Sequence, residues 1–150
     1  MYVIKANRLN FGAVRKFESV LYDLASHDLS MILSITGKYP IKTDVNAVFK
    51  NSQKIPDYIN VILYFEKNLV AILNVDWISP YKEHRFSVFG SKGSLIFDDT
   101  KDWKKKLIFN PSYLNEKNEV VYKPNISLEV QEEEPLKKEI ESFLKCIEYG

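Results

Sequence analysis

Cysteine is almost missing from this chain: Cys146 is the only one in 150 residues, so no internal disulfide can form. A reducing, cytoplasmic compartment is the matching expectation. Glycine is scarce as well, with five in the chain. None of them builds the Gly-x-Gly-x-x-Gly turn that cradles a dinucleotide, a phosphate loop ending in Gly-Lys-Ser/Thr, or a Gly-x-Ser-x-Gly nucleophile turn. The residues alone therefore show no place for a nucleotide cofactor. No apolar run approaches the ~18 residues that a membrane-spanning helix needs, and the first residues lack a basic stretch followed by a long apolar one. Neither sign of charge dominates: 21 Lys and Arg against 20 Asp and Glu leave a net charge of +1. Such a balance gives no overall field to attract nucleic acid or an anionic membrane. The two histidines and the single cysteine form no cluster, so a metal site of three or four ligands is not expected. Other proteins and small molecules remain as partners.

What is present suits one globular domain over residues 1–150, with 45% hydrophobic and 13% aromatic residues to fill a core. Residues 2–9 alternate and are rich in β-formers, which predicts a strand, with Asn10, Phe11 and Gly12 as the loop leaving it. Over 20–36 the period becomes helical: Leu21, Leu24, Ala25, Leu29, Ile32 and Leu33 form the stripe, and Gly37 with Pro40 ends it. The period returns to two over 44–49, 58–65 and 69–77, with Glu66, Lys67 and Asn68 as the turn of an antiparallel hairpin. Ser79 and Pro80 break the pattern, which resumes over 85–89 and turns at 90–93 into 94–99. Further strands are predicted at 104–109, 120–122 and 126–130, in a long polar excursion. Pro135 suits the first turn of a last helix, with Glu132, Glu133 and Glu134 at its positive end. Its apolar stripe is Leu136, Ile140, Phe143, Leu144 and Ile147. The fold class is α+β, an open, mostly antiparallel β-sheet with helices on one face.

Two sets of residues stand out for chemistry. Asp23 and His27 are four apart on the predicted helix and off its apolar stripe, so both side chains point the same way. An imidazole with an ordinary pKa near ~6.5 suits proton transfer at neutral pH, and a carboxylate can orient it. The alternative is that Asp23 caps the helix and His27 is a polar residue on its flank. Arg8, Asn10 and Arg15 bracket the loop before the helix and suit a carboxylate or phosphate, or else form a solvated loop. His84 sits among charges at a strand start, where an exposed imidazole needs no special role. The run Lys101, Asp102, Trp103, Lys104, Lys105, Lys106 reads as a turn and a charged edge strand whose lysines deter unwanted pairing.

The order of segments resembles the C-terminal domain of the glucose-fructose oxidoreductase/inositol dehydrogenase/rhizopine catabolism (Gfo/Idh/MocA) family. The anchors are Asn7 to Gly12, then Leu21 to Asp28 with the helix to Gly37, then Asp76 to Lys82, Val88 to Gly93, Glu134 to Leu136, and Phe143 to Ile147. Among members, the chain is nearest to dehydrogenases of nucleotide-linked sugars. The resemblance implies an open sheet that shapes a sugar site and builds oligomers, and Asp23 and His27 as the catalytic Asp-x-x-x-His pair. It also implies substrate contacts from Arg8 and Asn10. Family members carry a separate Rossmann domain that binds NAD or NADP and contributes a lysine from a Glu-Lys-Pro motif, which has no counterpart in this chain. A chain of this kind, running from Met1 to Gly150, is expected to be the substrate-binding and oligomerisation half of a sugar or nucleotide-sugar dehydrogenase, not competent alone. A non-enzymatic oligomerisation domain or a small-molecule binding module are the alternatives. Val61, Leu63 and Phe65 alternate with Ile62 and Tyr64, so both faces of that strand are apolar and a homo-oligomer through the sheet face is expected.

Overall fold

The structure is a computed structural model and describes residues 1–12, 15, 17–51 and 54–149. Gly150, the last residue in the fragment expectation, lies outside that set. In chain order the elements are β1 (Val3–Phe11), a π-helical turn (Leu21–Ala25) running into α1 (Ser26–Thr36), β2 (Lys42–Val48), β3 (Tyr58–Tyr64), β4 (Val70–Asp76), β5 (Ile78–Gly90) and β6 (Gly93–Asp98). Then come a 3₁₀ turn (Trp103–Lys105), β7 (Leu107–Asn110), β8 (Tyr113–Leu114), β9 (Val120–Val121), β10 (Ile126–Leu128) and α2 (Pro135–Tyr149). Eight strands form one sheet in the order β10-β7-β6-β5-β1-β4-β3-β2, and β8 with β9 forms a small ribbon beside it. Among the described residues only β1 and β4 pair in parallel; β1 pairs antiparallel with β5 on its other side. The fold is α+β, as the change of period indicates.

Alternation sorts the strands into two faces. Ile4, Ala6, Ile59, Val61, Leu63, Ala71, Leu73, Val75 and Phe86 are buried on one face, and Val20, Ala25 and Ile32 cover them from the helical segment. Gly37 ends α1 in a left-handed conformation, φ 61°, with its N–H donating to the Leu33 carbonyl at 2.9 Å. At the other end no side chain caps α1, because the π turn runs directly into it. The side chains of α2 described by the structure are exposed, including Leu136, Ile140, Phe143, Leu144 and Ile147. Among the described residues no helix is long and apolar enough to cross a membrane.

Several boundaries differ from the sequence expectation: the strand predicted at 104–109 begins in the 3₁₀ turn, Tyr113–Leu114 forms a strand not expected, and two further differences fall in β1 and β5. Asn10 and Phe11 belong to β1 rather than to a loop, and β5 continues through Ser79 and Pro80. The reason for the second is local. The register between β1 and β5 shifts between Leu9, which faces Glu83, and Phe11, which faces Ile78, so Pro80 falls in a bulge where no ladder N–H is required.

On the face away from α1, side chains in register make a polar row. Asn46 on β2 donates to Asn60 (3.5 Å), Asn60 on β3 to Asn74 (2.9 Å), and Asn74 on β4 to Asn7 (2.9 Å). Asn7 on β1 then donates to Glu83 on β5 (3.0 Å). Beside this row lie half-buried apolar side chains, Ile62 against Ile72 and Val3 between Val70 and Phe89.

Candidate functional site

The candidate site lies where the π turn becomes α1, above one end of β1. In the helical segment Leu24, Asp28 and Ile32 follow at intervals of four, so Asp28 falls on the buried stripe, and it is 4% exposed. A carboxylate there requires a cation from the sheet beneath. β1 turns Ile4, Ala6 and Arg8 toward the helix, and Arg8 is the cation. Its Nε donates to Asp28 Oδ2 at 2.9 Å and its Nη2 to Oδ1 at 3.1 Å, a two-point pair that fixes the first turn of α1 to the central strand.

Asp23 and His27 straddle the junction, Asp23 in the π turn and His27 one residue into the first turn of α1. The Ser19 carbonyl receives both Tyr22 N–H (3.0 Å) and Asp23 N–H (3.1 Å), which sets the start of the turn. Wide turns of this kind recur at functional sites. Asp23 is half-buried and pairs with Arg15, Nε to Oδ2 at 3.6 Å. The His27 side chain is exposed, and its carbonyl accepts from the Ser30 hydroxyl at 2.7 Å. Among the described residues no hydrogen bond joins Asp23 to His27. The structure therefore brings Arg15 to Asp23 and Arg8 to Asp28, so the two arginines are held by different carboxylates. Asn10 follows Arg8 at i+2 in β1 and is half-buried.

The sequence reading missed two residues. Asp28 is one, and its signal was the interval of four from Leu24 and Ile32. His84 is the other: it lies inside β5, half-buried and opposite Arg8, and not exposed at a strand start. Burial, with the Arg8 and Lys82 charges beside it, pushes the His84 imidazole below its ordinary value, while Asp99 and Asp28 pull the other way. No sequence signal marks this, because the neighbour of His84 is 76 residues away. Among the described residues no group of three His, Cys, Asp or Glu side chains is placed to hold a metal ion.

Known proteins now give this geometry a context. The family model described as the GFO/IDH/MocA C-terminal domain matches residues 8–96, more than half of the chain. No curated protein matches. Among solved structures, the chain is similar to a protein assigned as an oxidoreductase from Magnetospirillum magnetotacticum MS-1, with 24% identity and a TM-score of 0.79, over 98% of this chain and 47% of that one. It is also similar to the UDP-N-acetylglucosamine 3-dehydrogenase GnnA from Acidithiobacillus ferrooxidans, with 20% identity and a TM-score of 0.77, over 97% and 44%. A third is the aldose-aldose oxidoreductase from Caulobacter crescentus, with 16% identity and a TM-score of 0.71, over 97% and 44%. The chain thus spans less than half the length of these structures, and at such identities they share its fold. With the family model spanning β1, the helix that carries Asp23 and His27, and the sheet as far as β6, the chain belongs to the GFO/IDH/MocA C-terminal domain family, a domain of oxidoreductases.

Proposed function

We propose that this chain is the substrate-facing half of an NAD(P)-dependent oxidoreductase that acts on a sugar or nucleotide-sugar hydroxyl. The observation that carries the reading is the exposed His27 imidazole on a helix pinned to the sheet by Arg8 and Asp28, in a chain of this family. In this reading His27 takes the hydroxyl proton, because an imidazole accepts and returns a proton near neutral pH. Asp23, four residues earlier and paired with Arg15 in this structure, is the carboxylate that would turn to orient the ring when substrate is bound. Arg15 and Asn10 contact the polar part of the substrate, and Arg8, with Nη1 left after its two bonds to Asp28, adds a third donor. The nucleotide-sugar class is suggested by the similar GnnA fold.

The residues of this chain do not fit a dinucleotide. The one parallel pair among the described residues, β1 with β4, lacks a glycine-rich turn opening a helix, and the N-terminal amides of α1 are taken up by the π turn. No step is assigned through that cofactor. It belongs, in this proposal, to the half that the similar structures have beyond the region matched here. Phe11, Phe17 and Tyr22 are 76%, 94% and 77% exposed close to Asp23 in the chain, an apolar surface suited to contact with such a partner domain. A lone, exposed Cys146 suits a cytoplasmic setting.

The reading is tested by joining the chain to the dinucleotide-binding half of one of the similar enzymes and following NAD reduction with UDP-N-acetylglucosamine. His27→Asn is expected to lower kcat by at least about 100-fold. Activity with no dependence on His27 would sink the catalytic assignment.

A second copy is proposed to cover the part of the sheet face away from α1 that centres on β4 and β1, clear of the β6-β7 end. Half-buried Ile62, Ile72, Val70 and Phe89 supply apolar area there, and the asparagine row supplies polar groups able to fix one alignment of two copies. Sedimentation is expected to give an oligomer that Ile72→Glu dissociates. A wild-type chain that stays monomeric at about 100 μM would count against it.

A further inference from the structure

The sheet face away from α1 carries, at its β5-β6-β7 end, a cavity of about 490 Å³ beneath the 3₁₀ turn Trp103–Lys105. That size accommodates a small organic ligand. Its floor is Ile96 of β6 and Ile108 of β7, which face each other across the strand pair and are both half-buried. Around this apolar floor stand Arg85, Lys101, Lys105 and Lys106, against the carboxylates of Asp98 and Asp102.

Some of these charges are already committed. Asp98 Oδ1 accepts from the Thr100 amide at 3.1 Å and the Thr100 hydroxyl at 2.6 Å, and Oδ2 accepts from Arg85 Nη2 at 3.3 Å. Burial works against ionising Asp98, yet these donors hold its carboxyl below the ordinary range. Lys106 lies over the Trp103 ring at 4.1 Å and pairs with Asp99 at 2.6 Å. Lys101 and Lys105 differ. Their backbone amides are fixed, by the Asp98 carbonyl at 3.2 Å and the Asp102 carbonyl at 2.8 Å, but among the described residues neither ammonium group has an ion pair or hydrogen bond. Arg85, 49% exposed, also has Nη1 at 3.8 Å from Glu83 Oε1, so its guanidinium is shared between two carboxylates and its outer edge faces solvent. Against them stands one exposed, unpaired carboxylate, Asp102.

Lysines beside a strand often guard an open edge. That explanation, which suits the sequence, fails here, because β7 is paired on both sides, by β6 and by β10. What remains is two unpaired ammonium groups, Lys101 and Lys105, against the single unpaired carboxylate of Asp102, beside a half-buried apolar floor. This arrangement matches a ligand that is apolar at one end and anionic at the other.

We propose that this cavity binds a small organic anion, a planar ring bearing a phosphate or carboxylate, with the ring on Ile96 and Ile108 and the anionic group between Lys101, Lys105 and Arg85. The site is separate from the one around His27. Arg8 faces α1 and is opposite His84, so Arg85, the next residue of β5, points to the other side of the sheet.

Nuclear magnetic resonance on isotope-labelled chain tests this directly, with uridine monophosphate, benzoate and inorganic phosphate as separate probes. The expected result is a saturable shift of the Ile96 and Ile108 methyl signals and the Lys105 amide, with a Kd below about 1 mM for at least one ring-bearing probe. Which of the two binds tighter identifies the anionic group. Lys101→Ser with Lys105→Ser is expected to weaken binding at least about tenfold while the thermal midpoint is unchanged, since both side chains are exposed and unpaired. No saturable shift from either ring-bearing probe up to about 10 mM, or shifts indifferent to the two lysines, would overturn the proposal. Inorganic phosphate binding as tightly as either ring-bearing probe would overturn the role given to the isoleucine floor.

Discussion

Arg8 and Asp28 meet through two parallel contacts, at 2.9 and 3.1 Å, across the seam between the central strand and α1, with the carboxylate 5% exposed and the guanidinium 19%. Buried pairs of this kind are costly to break because the survivor is left charged and unpaired. Asp28→Ala or Arg8→Met is expected to lower stability by about 3–5 kcal/mol, whereas Arg8→Met with Asp28→Leu recovers most of the loss. Urea unfolding of the single and double variants makes the comparison. Additive losses in the double variant would show that the two side chains do not depend on each other.

His84 is expected to titrate below the ordinary imidazole value, and its resonance in a pH series measures this. Arg8→Met removes a repelling cation and raises the midpoint; Asp28→Asn removes an attracting anion and lowers it. The sign for folding follows. A folded midpoint below 6.5 favours the neutral ring, so this contribution is complete above 6.5 and is lost as pH falls through the folded midpoint.

Asp57 anchors the segment between β2 and β3. Its Oδ2 accepts from the amides of Lys50 (2.7 Å) and Asn51 (2.8 Å), and its Oδ1 from the Asn51 side chain and the Trp77 indole, both at 2.8 Å. Burial pushes the carboxyl up, but the donors of Trp77, Asn51 and Lys50 outweigh it and hold the pKa at about 2, against 3.8 for a free side chain. The charged form is therefore favoured by folding. Its contribution is whole above 3.8 and drains away as pH falls toward 2, so Asp57→Asn is expected to flatten the acid limb of a pH–stability curve over that window. An unaltered acid limb would show that other carboxylates control it.

Gly93 begins β6 with φ 133°, a backbone conformation that side chains with a Cβ avoid. A Cβ there would also run into the Asn110 carbonyl and lie 2.8 Å from the Phe109 ring. Gly93→Ala is expected to cost at least about 2 kcal/mol in urea unfolding and to disturb the pairing of β6 with β7. A loss of less than about 0.5 kcal/mol would mean that the turn relaxes freely.

Legibility in the sequence followed the range of the interactions. The hairpin of β3 and β4 shows plainly, because Tyr58 to Tyr64 and Val70 to Asp76 alternate on either side of a short polar turn. The placement of β1 between β4 and β5 does not show, since Val3 meets Val70 on one side and Phe89 on the other and nothing local encodes either register. Pro80 misleads because a proline breaks a paired strand, and only the bulge opposite Leu9 and Phe11 reveals that no pair is needed there. At the candidate site the spacing of Asp23 and His27 is local and visible. The partner that holds their helix, Arg8, comes from β1, and His84 is set opposite it by β5, so neither is visible from the helix sequence.

The position of β1 has a consequence for how the molecule is assembled. β4 and β5 are consecutive in the chain but do not pair with each other; each turns a row of backbone donors and acceptors toward a gap one strand wide, which Val3–Phe11 fills. That gap opens only once residues as far as Phe89 exist, so β1 waits for its place until both β4 and β5 have been made. Because it also carries Arg8, the same insertion that completes the sheet locks the helix bearing His27. A chain lacking these residues is thus a sheet split at its middle, and a short peptide of the missing strand, added separately, is the piece that would restore both halves and the helix together.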